Sequence, residues 1–302
     1  MRVLVTGVTG FIGSKLTETL ASNGHEVWGL SRDPNKAKQR VPQLTEAFAW
    51  NPVANSPPIA AFTNVNAVIH LAGEAVSGRW TRKKKQRIED SRVIGTRNLV
   101  KALYQTSGPT VLLSSSAIGY YGDQGDSELA EDHPSGRDFL ADISNAWETE
   151  ANNATTHGIR VVVIRTGIVL AHGGGALASM LLPFKMGVGG PMGSGKQWWS
   201  WIHRDDLVAI CLRAISDNEM VGVYNGTAPH PMRQGDFSTV LGKVLHRPAF
   251  LPTPAFALKL ALGGFSTELL TSKRVMPKRL QEAGFEFQYP ELETALRQAL
   301  GR

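Results

Sequence analysis

Residues 2–25 read RVLVTGVTGFIGSKLTETLASNGH, and the glycines of that run decide the fold. Arg2 to Thr6 is a short stretch rich in β-branched residues that ends on Gly7. From there Ile12, Leu16 and Leu20 recur at helical spacing as far as Asn23-Gly24, a helix stop. A strand that turns on glycine straight into a helix is the context of a dinucleotide fingerprint. Gly7 makes the tight turn, Gly10 lets the backbone approach a pyrophosphate, and Gly13 lets the helix pack closely on the sheet. The unpaired amides of the helix N-terminus attract the anion. The spacing is GxxGxxG, not the GxGxxG of ordinary dinucleotide domains.

Outward from that unit, strand-like and helix-like segments alternate. EVWGLSR is a second strand, and the stretch from Pro34 to about Asn64 is poorly patterned. NAVIHLAG is a clear strand, followed by a long basic helix through RIEDSRVIGTRNLVKALYQ. PTVLLSSSAIGYYG opens from a strand into a glycine-tyrosine loop, GRDFLADISNAWETEA is a helix, and IRVVVIRTGIVL is a further strand. This alternation predicts an α/β fold, a doubly wound parallel sheet of Rossmann type covered on both faces. After Leu170 the texture turns loop-rich and glycine-rich, then helical with scattered prolines. Residues 1–170, joined by about 203–226, are read as the NADP-binding domain, and 171–302 as a smaller, largely helical substrate lobe.

Bulk properties narrow the class. Hydrophobic residues make up 42% of the 302 and charged residues 19%, a balance that builds a core and argues against wholesale disorder. No apolar run approaches the ~18 residues of a membrane span, and the start of the chain does not resemble a signal peptide. A cytoplasmic location is expected, with no membrane partner. The lone Cys211 excludes an internal disulfide and a cysteine-based zinc site, and it sits on an apolar helical face as a core residue. The histidines show no metal-binding pairing, so no metal is expected. The net charge of +6 has its densest run in RWTRKKKQR, Arg79 to Arg87. That run lacks interleaved aromatics and is read as a solvated helix face, so nucleic acid is not an expected partner.

Cofactor choice is written at the end of the second strand. An Asp or Glu there bonds the ribose 2′-hydroxyl of NAD, whereas a basic residue accepts the 2′-phosphate of NADP. The strand runs into Ser31-Arg32, a hydroxyl and a guanidinium that suit a phosphate. The competing reading gives the ribose to Asp33 and turns Arg32 to solvent. NADP is the expected cofactor. A second glycine-rich run, GPMGSGKQ (Gly190 to Gln197), nearly spells a nucleoside-triphosphate loop. It ends on Gln197 instead of a hydroxyl and lacks the flanking strand and helix, so it is read as a loop of the substrate pocket. Lys185 and Lys196 are possible anion contacts there, and Trp198, Trp199 and Trp201 either wall that pocket or pack an interface. His203 is read as structural, with Asp205 or Asp206 capping the next helix.

TGVTGFIG, HLAG, LLSSSAIGYYG and WSWIHRDDLV together resemble the extended short-chain dehydrogenase/reductases. GGGALASMLLPFKMGVGGPMGSGKQWWSWIH and the ending GFEFQYPELETALRQAL are similar to the YfcH-type epimerase-like branch. The resemblance implies an NADP(H)-binding epimerase or oxidoreductase acting on an unidentified small molecule, with a homodimer as the assembly to test. It places cofactor contacts at Gly7, Thr9, Gly10, Phe11, Ile12 and Gly13, at Ser31 and Arg32, and at Leu71, Ala72, Gly73, Arg92 and Val169. Such enzymes share their chemistry among a Ser, a Tyr and a Lys, because a free phenol near pKa ~10 is a poor base at neutral pH without help. Ser116 matches the serine. Leu140 falls at the tyrosine position and Ser144 at the lysine, so the usual pair is missing. Tyr120 and Tyr121 are the nearest phenols, and Tyr120 is the expected substitute acid. The alternative is a non-catalytic NADP(H)-binding sensor or interaction protein.

Overall fold

A computed structural model describes residues 1–106 and 108–302. β1 (Arg2–Thr6) leads into α1 (Gly13–Ser22), and β2 (Glu26–Ser31) into α2 (Pro34–Arg40) and β3 (Glu46–Ala49). β4 (Ala67–His70), α3 (Arg82–Leu103), β5 (Val111–Ala117), β6 (Glu128–Leu129), α4 (Phe139–Asn152) and β7 (Arg160–Thr166) follow. Next come β8 (Ile168–Leu170), α5 (Gly175–Lys185), β9 (Trp198–Trp199), β10 (Trp201–His203), α6 (Arg204–Ser216) and β11 (Gly222–Gly226). The chain ends through β12 (Met232–Arg233), α7 (Gln234–Leu245), α8 (Ala255–Leu262), α9 (Phe265–Leu270), β13 (Arg274–Val275), α10 (Lys278–Glu282) and α11 (Leu292–Leu300).

Seven parallel strands form one sheet in the order β11-β7-β5-β4-β1-β2-β3. Alternate residues of each strand feed opposite layers. Val3, Val5, Ile69 and Leu113 face α1 and α6, where Leu16, Leu20, Ile210 and Cys211 pack. Leu4, Val68, Leu112 and Val163 face the layer of Leu99, Leu103 and Ala151 from α3 and α4. Both faces are buried, which is why the strands read as nearly unbroken apolar runs. A second core, built on Leu177, Phe184, Trp201, Phe237, Leu241 and Leu296, holds the C-terminal elements together. Leu280, Phe285 and Phe287 leave that region and return to the first core.

The stretch from Pro34 that lacked a pattern contains α2, β3 and a short 3-10 turn at Ile59–Phe62. α2 buries only Ala37, and β3 is a four-residue edge strand, so neither leaves a periodic signature.

Candidate functional site

The order of strand addition reverses between β1 and β4, which makes the carboxyl ends of those parallel strands the switch point where α/β sheets bind ligands. The β1–α1 turn there is built to admit a pyrophosphate. Gly7 has φ +71°, and a Cβ on it would stand 3.1 Å from the Leu71 carbonyl and the Ala72 amide. A Cβ on Gly13 would lie 2.2 Å from the Gly7 carbonyl oxygen, a contact no side chain tolerates. The Gly10 amide donates to that same oxygen at 2.9 Å. No side chain caps α1; the Ser14 and Leu16 amides donate to the Gly10 and Ile12 carbonyls at 3.0 and 2.9 Å, and the helix dipole leaves this end attractive to an anion.

Behind the turn, a buried relay fixes the strap Leu71–Gly73. The Leu71 and Ala72 amides donate to Thr6 Oγ1 at 3.1 and 3.0 Å. Both lone pairs of that hydroxyl are thus used, and its proton goes to His70 Nδ1 at 2.8 Å. The other ring nitrogen, Nε2, then carries the proton and donates to Thr96 Oγ1 at 3.0 Å. His70 is fully buried, and burial together with nearby Arg92 lowers its pKa to about 4, so it stays neutral. The Arg92 guanidinium lies against Gly73, with Nη1 donating to the carbonyls of Glu74 and Ile88 at 3.0 and 3.2 Å. Burial lowers the Arg92 pKa to about 10 against the pull of Glu74, and among the described residues the guanidinium forms no carboxylate pair.

At the end of β2 the side chains sort themselves by role. Asp33 caps α2, accepting from the Lys36 amide at 3.0 Å, with Pro34 in the first helical turn. Ser31 Oγ bonds within the same turn. Arg32 is exposed and makes no ion pair or side-chain hydrogen bond among the described residues. The arrangement leaves a cation free where a 2′-phosphate would sit and commits the nearest carboxylate elsewhere.

The reaction end departs from the sequence expectation. Ser116 is 3% exposed, and its hydroxyl donates to Glu148 Oε1 at 2.6 Å. The serine expected at the reacting oxygen is therefore tied into a buried cluster. Arg165 grips the same carboxylate through Nε and Nη2, both at 2.9 Å, and its Nη1 donates to Tyr121 OH at 3.0 Å and the Glu131 carbonyl at 3.1 Å. Tyr121 donates in turn to Asn225 Oδ1 at 2.7 Å. Burial pushes its phenol up to about 12 against the pull of Arg165. Tyr121 is a structural phenol. Tyr120 is half-buried, lies with its ring centroid 3.3 Å from the Arg165 guanidinium carbon, and its hydroxyl has no partner among the described residues. Leu140 packs on Gly119, where a Cβ would stand 3.0 Å away, and Ser144 is buried at 3% exposure.

Val169 is the middle residue of β8 and pairs with Ile202 of β10. Past β8 the chain folds back over the fingerprint, where a Cβ on Gly174 would be 2.4 Å from the Phe11 ring. Sequence reasoning missed the grouping of Arg165, Glu131 and Asn225; the one available signal was the arginine inside VVVIRTG, since a charge in a buried strand demands a partner.

Other expectations resolve as follows. Trp199 and Trp201 are buried in the lobe core, so they are not pocket walls; Trp198 is half-buried, with Arg233 and Arg274 at its ring. α6 is capped by His203, whose Nδ1 accepts from the Asp205 amide at 3.2 Å, instead of by an aspartate. Asp206 accepts from the Gln288 and Tyr289 amides at 2.7 and 3.0 Å and so anchors the C-terminal segment. Lys196 borders an open cavity of about 640 Å³ with Gly125, Asp126, Arg233 and Asp236, whereas Lys185 is exposed at the end of α5. Of the basic run, Lys84 and Arg87 pair with Glu74 and Lys85 lies over Phe139. Among the described residues no helix is long and apolar enough to cross a membrane.

Comparison with known proteins bears on this geometry. Residues 3–225 match the model of the NAD dependent epimerase/dehydratase family, and residues 253–299 match a domain of unknown function, DUF1731. The chain is 42% identical over 98% of its length to the chloroplastic epimerase family protein SDR39U1 homolog of Arabidopsis thaliana, covering 86% of that protein. It is 37% identical to the epimerase family protein YfhF of Bacillus subtilis, over 99% of this chain and 98% of that one. The crystal structure of the human epimerase family protein SDR39U1 with NADPH superposes with a TM-score of 0.89 at 34% identity, covering all of both chains. Fingerprint, sheet order and these likenesses together place the chain in the NAD dependent epimerase/dehydratase family.

Proposed function

We propose that this chain binds NADP(H) across the carboxyl edge of its sheet and acts in the cytoplasm as an oxidoreductase or epimerase-like enzyme on a small molecule. The observation that carries the cofactor choice is the pair at the end of β2: Asp33 spent on the α2 cap, Arg32 free. The fingerprint turn, the Leu71–Gly73 strap with Arg92 behind it, and Val169 would hold the remainder of the dinucleotide. That the human relative was crystallised with NADPH supports the same reading. A bound nicotinamide exchanges a hydride with a substrate carbon, so the protein must exchange a proton with the substrate oxygen. Tyr120 is assigned that proton, because Tyr121 and Ser116 have theirs engaged by Asn225 and Glu148. Arg165 holds the Tyr120 ring in place.

The test is a fluorescence titration with NADPH and NADH on the wild type and Arg32→Ala. A tenfold or greater preference for NADPH, worth about 1.4 kcal/mol, is expected in the wild type and lost in the variant. Equal affinities in the wild type would sink the 2′-phosphate assignment. A second reading, cofactor binding without turnover, is favoured by Leu140 and Ser144 standing at the acid positions. Hydride transfer that survives in the wild type but drops at least a hundredfold in Tyr120→Phe would exclude it.

A further inference from the structure

Apolar side chains gather about the Leu140 position. Leu140 stands where a phenol would address a sugar hydroxyl, and around it Phe139 packs edge-on to Trp80 at 5.1 Å, with Phe265 5.9 Å from Trp80. All four are half-buried, so their outer faces remain open. Two helices carry further apolar side chains. α5 begins where Gly174 and Gly175 lie on Phe11 of the fingerprint, and α8 ends where Gly263 bridges to Trp80. The C-terminal end of α5 meets the segment that leads into α8, with Gly187 against Pro248 and Arg247 Nε donating to the Lys185 carbonyl at 3.2 Å.

Both helices keep apolar side chains in the open. Leu182 and Met186 are 67% exposed, Phe256 74% and Leu260 75%. Phe250 and Leu251 link the two helices and are exposed as well. Elsewhere the exposed large hydrophobics are scattered singly, as at Val53 and Val221. A contiguous apolar surface of this kind marks a binding site. It supplies no carboxylate to accept from the hydroxyls of a polyhydroxylated ligand, for neither residues 151–204 nor residues 237–267 contain an Asp or Glu. A second copy of the chain is a poor occupant, since a two-fold contact would set exposed Lys185, Arg247 and Lys259 against themselves with no acid to meet them.

We propose that the substrate is an apolar molecule, a carbonyl or carbinol carried on a hydrocarbon or aromatic body, which lies between α5 and α8 with its reacting carbon beside Leu140. The inference rests on the NADP(H) reading above. It adds that hydrophobic area, not sugar hydroxyls, selects the substrate.

The test uses the neutral fluorophore N-phenyl-1-naphthylamine, titrated onto the full-length protein with and without saturating NADPH. Displacement is then measured with methyl ketones from 2-hexanone to 2-dodecanone. The fluorophore should bind, and each added methylene should tighten the competitor by about fourfold until the apolar surface is covered. Phe256→Asp with Leu260→Asp should weaken both probes at least tenfold and leave NADPH affinity and the melting temperature unchanged. Val221→Asp, just ahead of the edge strand β11, should alter neither. A competitor series flat in chain length, or probe affinity untouched by the double variant, overturns the proposal. So does a wild-type dimer in sedimentation that the double variant dissociates. Failure of NADPH to bind in the same samples defeats the cofactor reading instead, and the titration without nucleotide still decides the apolar one.

Discussion

Replacing Glu148 by Ala probes the cluster that joins α4, β5, β7 and β11. The carboxylate receives three hydrogen bonds, two from Arg165 at 2.9 Å and one from Ser116 at 2.6 Å. The two charged side chains are only 4% and 7% exposed, so water cannot replace the lost partner. Removing one member of such a buried pair strands the other charge, and the expected cost is about 3–5 kcal/mol. Replacing both, with Glu148→Leu and Arg165→Met, removes the stranded charge. The double variant should recover all but about 1–2 kcal/mol, since the Glu131 carbonyl and Tyr121 still lose a donor. Urea unfolding of the wild type, Glu148→Leu, Arg165→Met and the double variant closes the cycle, and the double should cost far less than the two single variants summed. In both Arg165 variants Tyr120 also loses the guanidinium on its ring, so turnover should fall even where stability returns. Additive single costs, or a Glu148→Ala penalty under about 1 kcal/mol, would refute the view that this pair is an isolated buried charge couple.

Three further outcomes follow from other parts of the molecule. Gly13→Ala forces a methyl group to within 2.2 Å of the Gly7 carbonyl oxygen, so α1 must back away from the turn. A loss of about 1–3 kcal/mol in unfolding free energy and a tenfold or larger loss in NADPH affinity are expected, and unchanged titration and melting curves would contradict the close-packing role. His70 has a pKa of about 4 in the folded chain against 6.5 unfolded, so the unfolded chain binds the extra proton between those values. Stability should therefore fall as pH drops from about 7 to 4, by on the order of 3 kcal/mol from this group. In His70→Gln that portion vanishes, so the gap in unfolding free energy to the wild type should narrow with acidification; a gap constant across that window would count against a neutral buried imidazole. Cys211 is 2% exposed, and burial raises its thiol to about 12, so a disulfide reagent should label it only in denaturant.

What the sequence made legible was what is local. The β1–α1 unit, the apolar parallel strands and the Gly7, Gly10 and Gly13 turn depend on residues a few positions apart, and short-range spacing displays them. α2 and β3 were not legible because Ala37 alone anchors one and the other is a short edge strand. At the site, Arg32 was read from its place after β2, but the commitment of Asp33 to a cap appears only once the helix exists. The fate of Ser116 depends on Glu148 and Arg165, and Tyr121 finds its acceptor 104 residues away in Asn225. Contacts over that distance leave no pattern in a single sequence. The tryptophans illustrate the same limit, since WWSW does not say which rings face inward.

The strand order has a consequence for synthesis on the ribosome. The first strand made lies in the interior of the sheet, and both of its neighbours, β2 and β4, are encoded within the first 70 residues. The sheet can thus begin to assemble early and grow outward in two directions. Its far margin waits for β11, which is translated more than 50 residues after β7 and brings with it the amide that Tyr121 bonds. A nascent chain that stalls between Thr166 and Gly222 presents an open β7 margin with unpaired backbone groups, the kind of edge on which other chains add strands. Translation through that interval is where a chaperone would matter most to this protein.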